Sequence, residues 1–362
     1  MLDRYSMPCY DTREIDYTVY MEMNRERGGC ATVTLKDVAK ACGVSVAMVS
    51  RAMNGMSNVD PAKAQMIQTA AAEMGYVPNA AALSLKMNRS QTIGVFYDDE
   101  MYHEYYSLLL NALRLQAEEA GYDFTLISRK MEDGETYYTH ARRRNLDGVI
   151  IIQADFRSAE VVKLASSEVP AVIVDYEFKD CNVVLNANIE SMEEMVTRAY
   201  ELGHRRLAFI HGQHGNATDT RLNGFYKACA EHGLTVSKDS VLQAAFQDGD
   251  AVAKATRVLL ERRNRPTCIF CPDDYSAVWC MKEVRRYGLT VGKDVSVVGY
   301  DGIRMNAMIE PSLATWRQDY ETIARQTVDL LCQNINDPEM EPRQIYVPGR
   351  FQAGDSLGKP EG

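Results

Sequence analysis

Residues 32–54, TVTLKDVAKACGVSVAMVSRAMN, contain two short helical patterns joined by a tight turn. Thr34 is suited to cap the first helix, and Asp37, three residues later, completes an acidic variant of the capping box. Gly43 can adopt the left-handed conformation that ends a helix, and Ser45 is placed to cap a second one. Apolar residues recur in both helices at spacings of three and four, as on one buried face. This arrangement predicts a helix-turn-helix, whose second helix enters the DNA major groove.

A helical hairpin in an ordinary globular core would share this short pattern, so the surrounding sequence decides between the two interpretations. The pattern continues through DP (60–61), GYVPN (75–79) and SLK (84–86). Over this length the segment resembles the DNA-binding head of the LacI/GalR family of bacterial repressors. The resemblance favours DNA binding.

The composition indicates two or three globular domains, because 362 residues exceed one ordinary domain. Apolar residues make up 46% of the chain and charged residues 25%, which excludes bulk disorder. No run of residues approaches the roughly 18 consecutive apolar residues of a membrane span. Residues 1–31 are acidic and lack the apolar core of a secretory signal. We therefore expect a cytoplasmic protein that does not associate with membranes.

The net charge of −10 is unevenly distributed along the chain. Residues 32–90 hold six basic and three acidic residues, a net charge of +3, whereas residues 1–31 carry −2. The part after residue 90 therefore carries −11. A basic head on an acidic body allows the head to bind phosphate while the body is repelled.

From Thr92 onward, strand-like apolar runs alternate with helical patterns. The predicted strands of a first series are 93–97, 124–127, 147–152, 171–175 and 183–185. A second series starts with a helix at 190–202, and its strands lie at 207–210, near 241, near 268 and at 295–300. The alternation predicts parallel sheets with right-handed crossovers. The expected fold is an all-α helix-turn-helix head followed by an α/β body of two doubly wound parallel-sheet lobes, with a ligand cleft beyond the strand ends.

This second part also resembles the LacI/GalR family, through GHRR (203–206), DVSVVGYD (294–301) and PSLAT (311–315). The resemblance implies the fold of periplasmic sugar-binding proteins, a homodimer, and repression controlled by a small effector, with activation as the alternative to repression. The sequence patterns and this resemblance together predict the domain boundaries. They are a flexible N-terminal tail at 1–31, a helix-turn-helix domain at 32–78, a hinge helix or linker at 79–91, and an effector-binding and dimerisation domain at 92–356.

The second helix carries the residues that match DNA-contacting positions of the family. Val46, Ala47 and Arg51 match positions that contact base edges. Arg51 can donate two hydrogen bonds to guanine, while Val46 and Ala47 offer only apolar contact, for instance to a thymine methyl group. Ser50 and Asn54 match positions that contact the DNA backbone or bases. The alternative for Arg51 is a solvated or phosphate-bound arginine.

Leu85 and Lys86 resemble the hinge pair of the family, whose leucine wedges into the central minor groove of the operator. An apolar side chain inserted between base steps kinks the duplex and enlarges the contact surface. Leu85 can alternatively pack on the small core of the head. The expected DNA partner is a palindromic operator of two half-sites.

The resemblance implies that Arg221 and Asp301 bind the effector in the cleft. Strand ends add Asp274 from the second lobe and Tyr97, Asp98 and Asp99 from the first lobe, and Trp316, which departs from the family pattern, could close the cleft. Aspartates and an arginine that converge on a cleft suit a hydroxyl-rich ligand, and aromatic faces stack on sugar rings. A carbohydrate is the expected effector, with a nucleoside or another metabolite as the alternative. Trp316 can instead pack in the core. Tyr105 and Tyr106 offer further aromatic faces for a sugar ring, but each is interpreted as a surface or helix-packing residue.

Catalysis is a weaker interpretation. An acidic run at 98–100, two histidines at 211 and 214, or the pair Cys268 and Cys271 could suggest a metal or acid–base site. Each group lacks the further ligands or the helical alignment that such a site needs, and Cys268 lies in a predicted buried strand. No nucleophile elbow, phosphate loop or dinucleotide fingerprint is present. We expect no catalytic residue, cofactor or metal. A transport receptor with the same cleft would need an export signal and no DNA-binding head.

Overall fold

The computed structural model describes residues 33–54, 58–78, 89–97, 103–127 and 136–361. The chain divides into two compact units, residues 1–88 and residues 89–362. Four predicted site residues, Leu85, Lys86, Asp98 and Asp99, lie outside the described residues. Within the described ranges, no helix is long and apolar enough to cross a membrane.

The first unit contains three described helices around a small core. They are α1 (Leu35–Ala41), α2 (Val46–Met53) and α3 (Pro61–Glu73). Val38, Val49 and Ile67, one from each helix, are fully buried in the same cluster. The predicted helical faces therefore meet in one core.

The caps of these helices are those expected from the sequence. The amide and hydroxyl groups of Thr34 donate to the Asp37 carboxylate at 2.9 and 2.8 Å. The Ser45 hydroxyl accepts from the amide of Met48 at 3.2 Å. Asp60 caps α3 in the same way. Local side-chain chemistry thus determines where each helix begins.

Gly43 forms the turn between α1 and α2 with a φ angle of +64°. A Cβ atom at this position would meet nothing within 4 Å, so a side chain there adds only backbone strain. We expect Gly43→Ala to destabilise the head by about 1 kcal/mol, with Gly43→Asn losing less because asparagine tolerates this conformation better. Hydrogen exchange of the α1 and α2 amides in the full-length protein measures the loss. The exposed Gln65→Ala on α3 is the control, and equal exchange in all variants would contradict a left-handed turn.

The second unit consists of two lobes. The first lobe begins with β1 (Thr92–Tyr97), α4 (Glu104–Glu119), β2 (Asp123–Ile127), α5 (Tyr137–Arg143), β3 (Gly148–Ile152), α6 (Ala159–Ala165), β4 (Ala171–Val174) and β5 (Asn182–Asn186). The second lobe contains α7 (Asn188–Glu201), β6 (Leu207–His211), α8 (Asn216–Glu231), β7 (Val241–Gln243), α9 (Gly249–Leu260), β8 (Cys268–Phe270), α10 (Asp274–Arg286), β9 (Ser296–Asp301) and β10 (Ala314–Arg317). The chain ends with α11 (Tyr320–Asn336), β11 (Gln344–Val347) and β12 (Arg350–Gln352).

Each lobe is built on a six-stranded sheet. The strand orders are β11-β5-β4-β3-β1-β2 and β12-β10-β9-β8-β6-β7. All neighbouring strands are parallel except β10 and β12, which are antiparallel. The predicted two-lobed α/β body is therefore confirmed. Because helices cover both faces of the sheets, the central strands are almost entirely apolar.

The two predicted series suggested that each lobe is formed by one continuous part of the chain. The structure differs, because the last part of the chain contributes to both lobes. After β10 the chain returns to the first lobe, where α11 packs against the sheet and β11 pairs with β5. It then crosses again, and β12 joins the second sheet. Three crossings, near residues 187, 318 and 348, consequently connect the lobes.

The pair Cys268 and Cys271 lies in the interior of the second lobe. Cys268 begins β8, both thiols are buried, and burial raises the pKa of each. This position confirms the interpretation of the segment as a buried strand.

Candidate functional site

A cavity of about 630 Å³ lies between the two lobes of the second unit. Its lining from the first lobe includes His103, Tyr105, Tyr106, Gln153, Phe156 and Asp175. The second lobe and the crossing after β10 contribute Gln213, Arg221, Phe246, Asp273, Asp301 and Gln318. Several of these residues follow the carboxyl ends of strands, where ligands bind in doubly wound sheets.

Arg221, on α8, is the buried cation of this cavity, with an exposed fraction of 7%. Its Nε donates to the Asn188 side chain at 3.0 Å, and one terminal nitrogen donates to the carbonyl of Pro272 at 3.1 Å. The guanidinium carbon lies 3.5 Å from the centre of the Tyr300 ring. Since a guanidinium has five N–H donors, these contacts position it and leave donors for a ligand. Burial opposes the charge of Arg221, but nearby Tyr300 and Asp301 raise its pKa overall.

Asp301, at the end of β9, is held from two sides. The side-chain amide of Gln318 donates to one carboxylate oxygen at 2.5 Å, and His103 Nε2 lies 3.3 Å from the other. Burial raises the pKa of Asp301 well above its usual range, and Arg221 opposes this shift. The φ angle of Asp301 is +107°, an uncommon conformation for a residue other than glycine. Such backbone strain tends to occur at functional sites.

Asp175 is a second carboxylate of the cavity, directly after β4. Its carboxylate accepts from the Asn186 side chain at 2.6 Å, and its φ angle is +62°. Burial raises the pKa of Asp175, while Asn186 and Arg221 lower it. With Asp301 and Arg221, it gives the cavity acceptors and donors suited to hydroxyl groups.

The structure corrects the predicted role of Asp274. This residue is not part of the cavity lining, and its carboxylate accepts from the amides of Gly302 and Ile303 at 2.8 and 2.9 Å. It also accepts from the side chains of Asn306 and Thr315 at 2.7 and 2.5 Å. Asp274 thus shapes the loop after β9. The neighbouring Asp273 lines the cavity instead.

The predicted effector-binding roles of the two aromatic residues, Tyr97 and Trp316, are also corrected. Tyr97 is buried in the core of the first lobe, with its ring centre 6.3 Å from that of Tyr106. Trp316 is buried in the core of the second lobe, as the alternative interpretation stated. Neither residue lines the cavity, whereas Tyr105 and Tyr106 do. Both tyrosines belong to the first turn of α4, which faces the cleft. The helical spacing of the sequence did not indicate this orientation.

Other lining residues were missed for different reasons. Asp175 is the last residue of a predicted strand, so the rule for strand ends could have identified it. Phe246 and Gln318 carry no comparable signal, because their segments reach the cavity only through the lobe packing and the crossing after β10.

In the first unit, α2 presents the predicted DNA-reading face to solvent. Val46, Ala47, Arg51 and Asn54 are exposed, and Ser50 is half-buried. The opposite face is buried against the other two helices. The arrangement leaves the predicted base-contacting side chains accessible.

Two protein families match the chain. A family described as bacterial regulatory proteins, lacI family, matches residues 34–79, and a periplasmic binding protein-like domain matches residues 196–357. The HTH-type transcriptional repressor PurR of Aliivibrio salmonicida is 27% identical, with 86% of this chain and 94% of that protein covered. The probable HTH-type transcriptional repressor ExuR of Bacillus subtilis is 28% identical, with 90% and 98% covered.

Solved structures are similar over most of the chain. The lac repressor dimer bound to operator and the anti-inducer ONPF has a TM-score of 0.80 and 25% identity, covering 91% of this chain and all of that one. The complex of the transcriptional regulator CelR with cellobiose has a TM-score of 0.66 and 26% identity, covering 90% of this chain and 99% of that one.

Proposed function

Because the chain belongs to the lacI family of bacterial regulatory proteins, we propose that it is a DNA-binding transcriptional repressor controlled by a small effector. The observation that carries this proposal is the exposed reading face of α2, held by a complete helix-turn-helix. The interlobe cavity, with the buried Arg221, supplies a site for the effector.

We propose a neutral carbohydrate as the effector. Asp175, Asp273 and Asp301 provide acceptors, and Arg221 provides donors for the hydroxyl groups of a sugar. The cellobiose complex of the CelR regulator supports this class. Asp274, Tyr97 and Trp316 are not part of the proposed site.

A nucleoside is the second candidate effector. Phe156 lines the cavity and stacks on Tyr176, with ring centres 4.2 Å apart and an interplanar angle of 11°. Such a supported aromatic face can stack on a base as well as on a sugar ring.

For DNA binding, the proposed contacts remain those implied by the family resemblance. They are Val46, Ala47, Ser50, Arg51 and Asn54 on the head, with Leu85 and Lys86 at the hinge. One head reads only a half-site, so a palindromic operator requires a two-fold symmetric partner. The lac repressor structure, a dimer bound to operator, supports a homodimer. The domain boundaries given above belong to the same proposal.

We expect Arg51→Ala to weaken binding to the preferred operator by about 1–3 kcal/mol and to relax the preference at one base pair of each half-site. The reason is the loss of two hydrogen bonds from the guanidinium to a guanine. Titration of the full-length protein against operators with each of the four base pairs at each position measures both effects. Lys40→Ala, which removes an exposed charge from α1, should weaken all sequences equally. An unchanged base preference in Arg51→Ala would contradict direct readout.

The experiment that tests the proposal is selection of bound duplexes from a random DNA pool with the full-length protein. We expect a palindrome of two half-sites. Neutral mono- and disaccharides and nucleosides are then compared for their effect on binding to that palindrome. Recovery of unspecific duplexes alone would contradict the repressor function. A specific operator that responds only to nucleosides would replace the carbohydrate.

A further inference from the structure

The two lobes contact each other at the first turn of α4. His103 precedes this helix in the first lobe, and its Nε2 lies 3.3 Å from the Asp301 carboxylate of the second lobe. Both residues are largely buried, with exposed side-chain fractions of 12% and 6%. The imidazole also meets the Tyr275 ring of α10 edge-on, with ring centres 5.9 Å apart.

The next residue makes a second contact between the lobes. One carboxylate oxygen of Glu104 accepts from the backbone amide of Arg304 at 3.1 Å and from its Nε at 3.2 Å. Arg304 begins the 3-10 turn Arg304–Ala307, directly after the loop that follows β9. Glu104 therefore acts as an acceptor for the start of a turn in the opposite lobe. A carboxylate at the first turn of α4 is also favoured by the dipole of its own helix.

These contacts lie at the wall of the cavity. His103 and Asp301 both line it, and Glu104 with Arg304 continues the same contact toward solvent. The contacts of His103 and Glu104 span the two lobes, so any opening of the cleft at α4 must break them.

We propose that His103 and Glu104, with Asp301 and Arg304, form an interlobe latch that holds the cleft closed. The latch gates the cavity, so an effector enters only when the latch opens. This consequence rests on the proposed effector function of the cavity. The latch itself does not, because its contacts are formed between residues of this chain alone.

Asp301 connects the latch to the proposed binding site and to one of the crossings. One of its oxygens accepts from Gln318, on the crossing after β10, and the other faces His103. Each carboxylate oxygen has a second lone pair, so a ligand hydroxyl can donate to Asp301 while the latch stays closed. The latch then lowers the rates of effector binding and effector release together, with little change in the affinity for effector.

Hydrogen–deuterium exchange of the full-length protein, without effector or DNA, tests the latch. We expect Glu104→Ala and His103→Leu each to accelerate exchange in residues 301–307 of the opposite lobe by about fivefold or more. If the cleft opens as a whole, segments 153–156 and 213–218, which line the cavity from opposite lobes, should also exchange faster. The conservative variants Glu104→Gln and His103→Gln keep an acceptor and a donor, and should retain most of the protection.

Glu118→Ala is the matched control. Glu118 forms an ion pair with Arg114 on the same helix at 2.6 Å, about 21 Å along the axis from Glu104. It should leave residues 301–307 unchanged. Wild-type exchange in residues 301–307 of both Glu104→Ala and His103→Leu would overturn the latch. If only residues 301–307 exchanged faster and residues 153–156 and 213–218 were unaffected, the latch would be a local contact. That result would overturn the claim that it gates the cavity. Neither result bears on operator or effector binding, which is measured separately.

Discussion

Arg221→Lys is expected to abolish the response to effector while operator binding is retained. The lysine keeps the positive charge but cannot donate to both Asn188 and Pro272 while stacking on Tyr300. Loss of a buried, hydrogen-bonded guanidinium typically costs about 2–3 kcal/mol in binding, or roughly 100-fold in effector affinity. The head is unaltered, so the affinity for operator without effector should be unchanged.

Operator titration with and without the effector found by screening, together with calorimetric measurement of effector affinity, checks this result. Arg325→Lys on α11 is the control, because Arg325 is exposed and contacts only Thr322 among the bonds of the described residues. Circular dichroism establishes that Arg221→Lys is folded. Effector affinity within threefold of the wild type would place the effector away from Arg221.

Asp274→Ala is expected to lower the free energy of unfolding by about 3–5 kcal/mol. The substitution leaves two backbone amides and the side chains of Asn306 and Thr315 without their acceptor in a buried region. Asp274→Asn keeps one acceptor oxygen and should lose less. Because Asp301 ends β9 directly before this loop and has a strained conformation, effector affinity should fall as well.

Denaturant unfolding followed by circular dichroism measures the loss of stability. Asp319→Ala is the comparison, because Asp319 caps α11 through one bond to the Thr322 amide at 3.0 Å, and such a cap contributes about 1 kcal/mol. Suppose that Asp274→Ala is as stable as Asp319→Ala but binds effector weakly. That result would contradict the structural role of Asp274 and support the effector-binding role predicted from the sequence.

The caps and turns of the head could be predicted almost completely from the sequence. Thr34, Asp37, Gly43 and Ser45 act on backbone groups within a few residues, so their effect is contained in the local sequence. The exposed position of Arg51 follows from the same helical spacing. The alternation of strands and helices likewise predicted two parallel-sheet lobes, because each element must bury its apolar face against the other kind.

The candidate site was predicted in part. Arg221 and Asp301 were identified by resemblance and do line the cavity. Asp274 was assigned to the same cleft because it follows β8, yet its side chain points to the backbone of the loop after β9. A strand-end position limits where a residue lies, but it does not decide which groups its side chain meets.

The sequence by itself therefore determined the helix-turn-helix, its exposed face, the class of the body and the strand ends at which a ligand site could form. Only the tertiary structure decided that α11 and β11 return to the first lobe and that Trp316 is buried in the second. It also decided that His103 and Glu104 meet residues about 200 positions away. Local spacing determines hydrogen bonds and faces within one element. Contacts between lobes depend on three chain crossings whose geometry is set by the packing of both sheets.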